Sequence, residues 1–143
     1  MMLIGAAGYG LAMPGVRING AVLDAHTLLL ASLALIVGYQ SIFFAVFTKV
    51  FAVSERLMPP DTRLDRVFKV LTLERGILSG AAACAGGAIL LLTAVWTWSR
   101  ADFGRLDYAR TMRWVVPGVT LFALGFQTIW SSFFVSILGM RRK

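Results

Sequence analysis

The sequence predicts an all-α integral membrane protein: four transmembrane helices, the first one short, arranged as two parallel-repeat hairpins, plus one cytoplasmic interfacial amphipathic helix. Three observations predict it. Of the 143 residues, 58% are hydrophobic and 15% charged, with a mean hydropathy of +0.76. A soluble domain carries about 25% charged and about 45–50% apolar residues. The excess lies in four charge-free windows, 1–16, 25–48, 76–99 and 114–140, which hold 91 of the 143 residues. Three of them exceed the roughly 18 apolar residues that mark a membrane span. The third observation is a string that occurs twice, glycine, aromatic, glutamine, hydroxyl, isoleucine, aromatic. A soluble enzyme with a large core is excluded, because too little polar sequence remains to cover these segments.

Taken in order, the elements form a single membrane domain over 1–143. The first helix covers about 1–13 and stops at Pro14-Gly15; that is about 20 Å of helix against a hydrocarbon core of roughly 30 Å. The second runs over about 27–51, the third over about 76–99 and the fourth over about 114–140. Each of these three is long enough to cross with tilt. Between the second and third lies a basic connection. After Pro59-Pro60, Asp61 caps a helix predicted over about 61–73, with Leu64, Val67, Phe68 and Leu71 at i, i+3, i+4, i+7. Arg63, Arg66 and Lys69 occupy its other arc. Such a helix lies in the interface with its cationic face toward phosphate head groups; an ordinary charged connector is the alternative.

Charge sets the orientation. The net charge is +7, from 14 basic and 7 acidic residues. The N-terminus, the connection 49–75 and the tail carry nine basic residues against five in the other two connections. The positive-inside rule then places both termini in the cytoplasm. Every basic residue lies between or beside apolar spans, so anionic lipid is the expected partner and nucleic acid is not. Trp96, Trp98, Tyr108 and Trp114 cluster near the third connection, as an interfacial aromatic belt does.

The repeated string pairs Gly38-Tyr39-Gln40-Ser41-Ile42-Phe43 with Gly125-Phe126-Gln127-Thr128-Ile129-Trp130. Similar approaches precede the two copies, Leu23-Asp24-Ala25-His26-Thr27 and Leu106-Asp107-Tyr108-Ala109-Arg110-Thr111. Parallel repeats of this kind imply a pseudo-two-fold axis along the membrane normal. They set Gln40 and Gln127 at matching depths near mid-bilayer, where an amide needs a partner that hydrocarbon does not supply. Two readings stand: a side-chain hydrogen bond between helices, or a polar contact to a lipid or transported group. In the third span Gly76, Gly80, Cys84 and Ala88 recur every four residues. Such a small-residue ridge lets helices approach closely, within the chain or between copies of it as a homo-oligomer.

Chemistry-bearing constellations are missing from the residues. No predicted span holds an acidic side chain, which argues against a proton-coupled transporter of the small multidrug type, where a buried carboxylate carries the coupling. His26 stands at a span boundary without a second His or Cys nearby, so no metal site is expected. There is no glycine-rich phosphate loop, no Asp-x-Asp pair and no Ser-His-Asp set. No catalytic residue and no cofactor are assigned. Asp24 and Asp107 are each placed to cap the helix that follows.

Several strings taken in order carry a resemblance: Asp24-Ala25-His26-Thr27, Thr72-Leu73-Glu74-Arg75-Gly76, Phe103-Gly104-Arg105-Leu106-Asp107, Arg110-Thr111-Met112-Arg113 and Pro117-Gly118-Val119-Thr120. Gly125-Phe126-Gln127-Thr128 and Ser132-Phe133-Phe134-Val135-Ser136-Ile137-Leu138-Gly139 complete it. Together they resemble the C-terminal membrane region of bacterial family 2 glycosyltransferases, the dolichol-phosphate mannosyltransferase-like group. Members of that family transfer a sugar from a nucleotide donor to a polyprenyl phosphate at the cytoplasmic face, with an N-terminal α/β domain bearing an acidic metal-binding motif. These 143 residues contain no such domain, so no catalytic residue carries over.

The resemblance implies a bacterial inner-membrane module that anchors a glycosyltransferase domain or subunit, makes subunit contacts and holds the lipid acceptor near the interface. It also implies that the short first span is the end of a longer helix preceded by a cytoplasmic domain. Candidate head-group ligands are Arg63, Arg66, Lys69 and Arg75, with Arg141 and Arg142 of the tail. A small four-helix translocase of lipid-linked sugars, with Gln40 and Gln127 lining a pathway, is the alternative, and a ligand-free anchor is a third.

Overall fold

The computed structural model describes residues 1–14, 17–18, 21–22, 25–59, 72–104 and 107–140. Among these, four α-helices follow one another: α1 (Met2–Ala12), α2 (Ala25–Ser54), α3 (Leu73–Arg100) and α4 (Tyr108–Met140). Three of them are long and apolar enough to cross a membrane, over Ala25–Ser54, Leu73–Arg100 and Arg110–Leu138. α1 has 11 residues and is about 16 Å long. The predicted interfacial helix over 61–73 falls almost wholly outside the described residues.

Two differences from the expected boundaries have physical causes. α4 begins at Tyr108 rather than near Trp114. Asp107 starts it, its Oδ1 accepting from the Arg110 amide at 3.3 Å, while Thr111 Oγ1 donates to the Asp107 carbonyl at 2.9 Å. Charge therefore does not end the helix here: Arg110 stays exposed in the first turn while the backbone continues, and the Nε of Arg113 is buried without a hydrogen-bond partner. The connection after α1 is the second difference. It holds two short antiparallel strands, β1 (Arg17–Ile18) and β2 (Ala21–Val22), in register Arg17↔Val22 and Ile18↔Ala21. The α3 exit is tight: Asp102 and Phe103 both take left-handed backbone, φ 49° and 55°. The Phe103 amide returns to the Trp98 carbonyl, and its ring meets Trp98 edge-on at 4.9 Å.

Packing is antiparallel within each consecutive pair and parallel between α2 and α4. Gly5 and Gly8 of α1 meet Leu35 and Ala31 of α2, and Gly38 lies against Met2. On α3, Gly76 faces Ser132, Gly80 faces Gly125 and Ile129, and Gly87 faces Gly118 and Phe122 of α4. α2 meets α4 with a nearly constant offset, Ser32 with Thr120, Tyr39 with Thr128, and Phe47 with Phe134. Three contacts with the same sense fix the two helices as parallel.

The distribution of side chains is inverted relative to a soluble bundle. The buried set is mostly small or hydroxylic, with Ala12, Ala25, Ala31, Ser32, Thr120, Ser131 and Ser132 among its members. Leu30, Phe44, Ile89, Leu92, Phe126 and Trp130 are exposed. Lipid solvates that apolar exterior as well as a protein core would, so association rests on close packing and interhelical hydrogen bonds.

Candidate functional site

Hydroxyl groups tie the two helix pairs together. Tyr9 OH of α1 lies 2.7 Å from Ser32 Oγ of α2 and 2.8 Å from Thr120 Oγ1 of α4. Thr120 Oγ1 and Ser32 Oγ are 2.9 Å apart. Each of these two also reaches a carbonyl one turn back, Ser32 to Leu28 at 2.8 Å and Thr120 to Val116 at 2.7 Å. Beneath them Ala12, Leu28 and Val116 form a small apolar cluster with Tyr9 and Met112. Two turns along α2, Tyr39 OH meets Thr128 Oγ1 at 2.6 Å, and Thr128 donates to the Leu124 carbonyl. A serine or threonine in a helix can spend its proton on its own backbone, so each tyrosine hydroxyl can supply a proton that crosses between helices, beside the donation from Thr120 to Ser32. Sequence reasoning missed this cluster.

The two glutamines are brought together. Gln40 and Gln127 both line a groove of about 370 Å³ between α2 and α4, with Ile36, Val37, Ser41 and Phe44. Gln40 is exposed, whereas the Oε1 of Gln127 is buried and has no hydrogen-bond partner. The groove is open, with Ile36, Val37 and Phe44 as its apolar walls and Ser41 and the two carboxamides as its polar points. A carboxamide there offers two N–H donors and one carbonyl acceptor to whatever enters.

The small-residue ridge faces α4. A Cβ on Gly80 would meet the Gly125 carbonyl and Ile129 Cγ1 at 2.7 Å, and one on Gly87 would meet the Phe122 amide at 2.6 Å. Cys84 Sγ lies 3.5 Å from the Phe122 carbonyl, and a Cβ on Gly125 would meet the Cys84 amide at 2.7 Å. The line of approach thus runs Gly76, Gly80, Cys84, Gly87, with Ala88 half-buried beside it. Cys84 is a free thiol in this seam, filling the role of a small residue.

The basic candidates divide. Arg75 is exposed in the first turn of α3. It stands beside Gly76, at the end where α2 finishes and Ser132 of α4 packs. Arg56, exposed after the last turn of α2, is at that same end. Arg63, Arg66 and Lys69 lie outside the described residues, as do Arg141 and Arg142. At the opposite end a second cavity of about 490 Å³ is lined by Thr93, Thr97, Asp107, Arg110, Thr111 and Trp114. Trp96, Trp98, Tyr108 and Trp114 surround that end and are exposed, with the Arg100 guanidinium 5.6 Å above the Trp96 ring. Asp24 lies outside the described residues, so capping is seen only at Asp107. Among the described residues, no group of three His, Cys, Asp or Glu side chains forms a metal-binding cluster.

A family model described as glycosyltransferase family 2 C-terminal transmembrane region matches residues 46–139, well over half of the chain. The match begins in the second half of α2 and takes in α3 and nearly all of α4. No curated protein and no solved structure matches the chain.

Proposed function

Since this multi-pass membrane chain belongs to the glycosyltransferase family 2 C-terminal transmembrane region, we propose that it is the membrane module of a polyprenyl-phosphate glycosyltransferase system. It anchors a catalytic domain or subunit and positions the lipid-phosphate acceptor, without performing the transfer itself. The observation that carries the reading is the placement of basic residues relative to the family match. Arg56 and Arg75 are exposed at one end of the bundle. The segment between them, inside the matched region, contributes Arg63, Arg66 and Lys69, and Arg141 and Arg142 follow α4. Positive-inside counting makes this the cytoplasmic face of a bacterial inner membrane. A polyprenyl phosphate lies with its tail in hydrocarbon and its phosphate at that depth. A juxtamembrane cluster contributes about 1 kcal/mol per basic residue near an anionic surface.

The test is acceptor retention. In nanodiscs of phosphatidylcholine doped with polyprenyl phosphate, the Arg63→Gln, Arg66→Gln, Lys69→Gln triple variant should retain at least ~tenfold less of that lipid than the unaltered chain. Equal retention sinks the head-group assignment.

A second reading has its own observation. The shared groove of Gln40 and Gln127, with the α1–α2 and α3–α4 pairs read as a parallel repeat, suits a small translocase of lipid-linked sugar. Under that reading Gln40→Leu with Gln127→Leu abolishes lipid flipping in proteoliposomes while the protein stays folded. Under the anchoring reading the unaltered chain flips nothing.

A further inference from the structure

Two amides stand in the middle of the membrane with their hydrogen-bonding capacity unused. Gln40 is exposed on α2, and Gln127 Oε1 on α4 is buried without a donor. Both side chains line one groove, and no hydrogen bond joins them. Their depth follows from the cross-helix contacts, Tyr39 with Thr128 above and Phe47 with Phe134 below. Gln127 is level with Gln40 to within about one residue, or about 1.5 Å along the axis. The level is central: Gln40 falls halfway along the 30 residues of α2.

That depth restricts what can fill the groove. Acyl and polyprenyl tails carry neither donor nor acceptor, and a phosphate head group does not travel to mid-bilayer without a large cost. A peptide helix is the occupant that brings a polar side chain to this level. The required side chain must both donate and accept, and it must arrive at the depth of Gln127.

We propose that the occupant is a second copy of this chain, and that Gln40 and Gln127 form the polar centre of a parallel two-fold dimer. A two-fold axis along the membrane normal preserves depth, so the partner's Gln40 arrives level with Gln127. Its Nε2–H donates to Gln127 Oε1, and symmetry repeats the bond on the other side. Rotation about χ3 of Gln127, a soft torsion, turns its carbonyl toward the groove. The surrounding surface suits an interface: Phe44, 70% exposed, and Val37, 39% exposed, flank Gln40 and bury against the partner. The small-residue ridge plays no part, because α4 already occupies it.

Donor- and acceptor-labelled full-length chains, carrying fluorescent proteins at their C-termini, test this in phosphatidylcholine–phosphatidylglycerol vesicles by energy transfer against protein density. The unaltered chain should show density-dependent transfer with saturation at a dimer. Gln40→Leu places an apolar residue on an exposed, lipid-facing position, so it leaves the monomer folded. It should weaken association by ~tenfold or more, because both symmetric bonds vanish. Gln127→Leu should do the same. The double variant should be no weaker than either single, since each single already removes both bonds. A chain that stays monomeric at every density overturns the proposal. So do Gln40→Leu dimers as tight as the unaltered ones, or losses that add in the double variant.

Discussion

In the α3–α4 pair, glycines on both helices bring backbone against backbone over most of the length, from Gly76 beside Ser132 to Gly118 beside Leu90. In the α1–α2 pair, contact runs only from Ala12 beside Leu28 to Gly38 beside Met2. The rest of α2 turns to α4 instead, through Tyr39, Phe43, Phe47 and Phe134, whose successive ring centroids are 4.9, 5.8 and 5.7 Å apart. The repeated string therefore does two jobs with one glycine. Gly125 sits opposite the middle of a neighbouring helix, and Gly38 sits opposite the first turn of one. Where packing atoms are backbone in mid-helix, they cannot yield. Where they belong to a terminal turn and flexible methionines, they can.

That contrast is breakable by one pair of substitutions. Gly125→Val sets a side chain where a Cβ alone would stand 2.6 Å from the Gly80 carbonyl and 2.7 Å from the Cys84 amide. Separating α3 from α4 along their seam should cost about 3 kcal/mol, the upper end of ordinary overpacking. Gly38→Val meets the Met2 amide at 2.7 Å and Met2 Cγ at 2.9 Å, yet a small shift of the first turn of α1 relieves it. The expected cost is about 1 kcal/mol. Reversible unfolding in mixed detergent–SDS micelles reads both. Equal losses would show that the two pairs are equally rigid and that the contrast is superficial.

The same contrast separates what was legible in the residues from what was not. Charge-free windows located four helices because hydrocarbon penalises charge everywhere along a span. They misplaced the start of α4, since Arg110 and Arg113 sit in the first two turns of a helix that Asp107 initiates. The ridge was readable from spacing alone, because four-residue recurrence is a property of one helix. Close approach to α4 also takes in Gly87, which faces Gly118 and lies one residue before Ala88, outside the four-residue recurrence. The strand pair had a signal, Asn19-Gly20 between Ile18 and Ala21, the dipeptide of a two-residue hairpin. The glutamines were found because they repeat. Tyr9, Ser32 and Thr120 could not be, since nothing in one helix states which residue of another lies at its level.

The smallest expected effect comes from that hydroxyl cluster. Three hydroxyls hold three protons, against five short contacts within it. Ser32 can spend its proton on Leu28 and Thr120 on Val116, each within its own helix. Tyr9 has no such carbonyl one turn back, because a phenol reaches too far from its own backbone, so its proton must cross to α2 or α4. Tyr9→Phe therefore strands neither of the others. It removes one interhelical bond, worth about 0.6 kcal/mol on average between membrane helices. The loss should be local, because among the described residues Tyr9 is the one α1 side chain that hydrogen-bonds to the other helices. Amide exchange in detergent micelles should quicken across Met2–Ala12 and stay unchanged in α2, α3 and α4. Faster exchange in α2 and α4 as well would mean that the phenol also holds Ser32 against Thr120. The parallel pair would then depend on α1, and the weaker hairpin would be organising the stronger one.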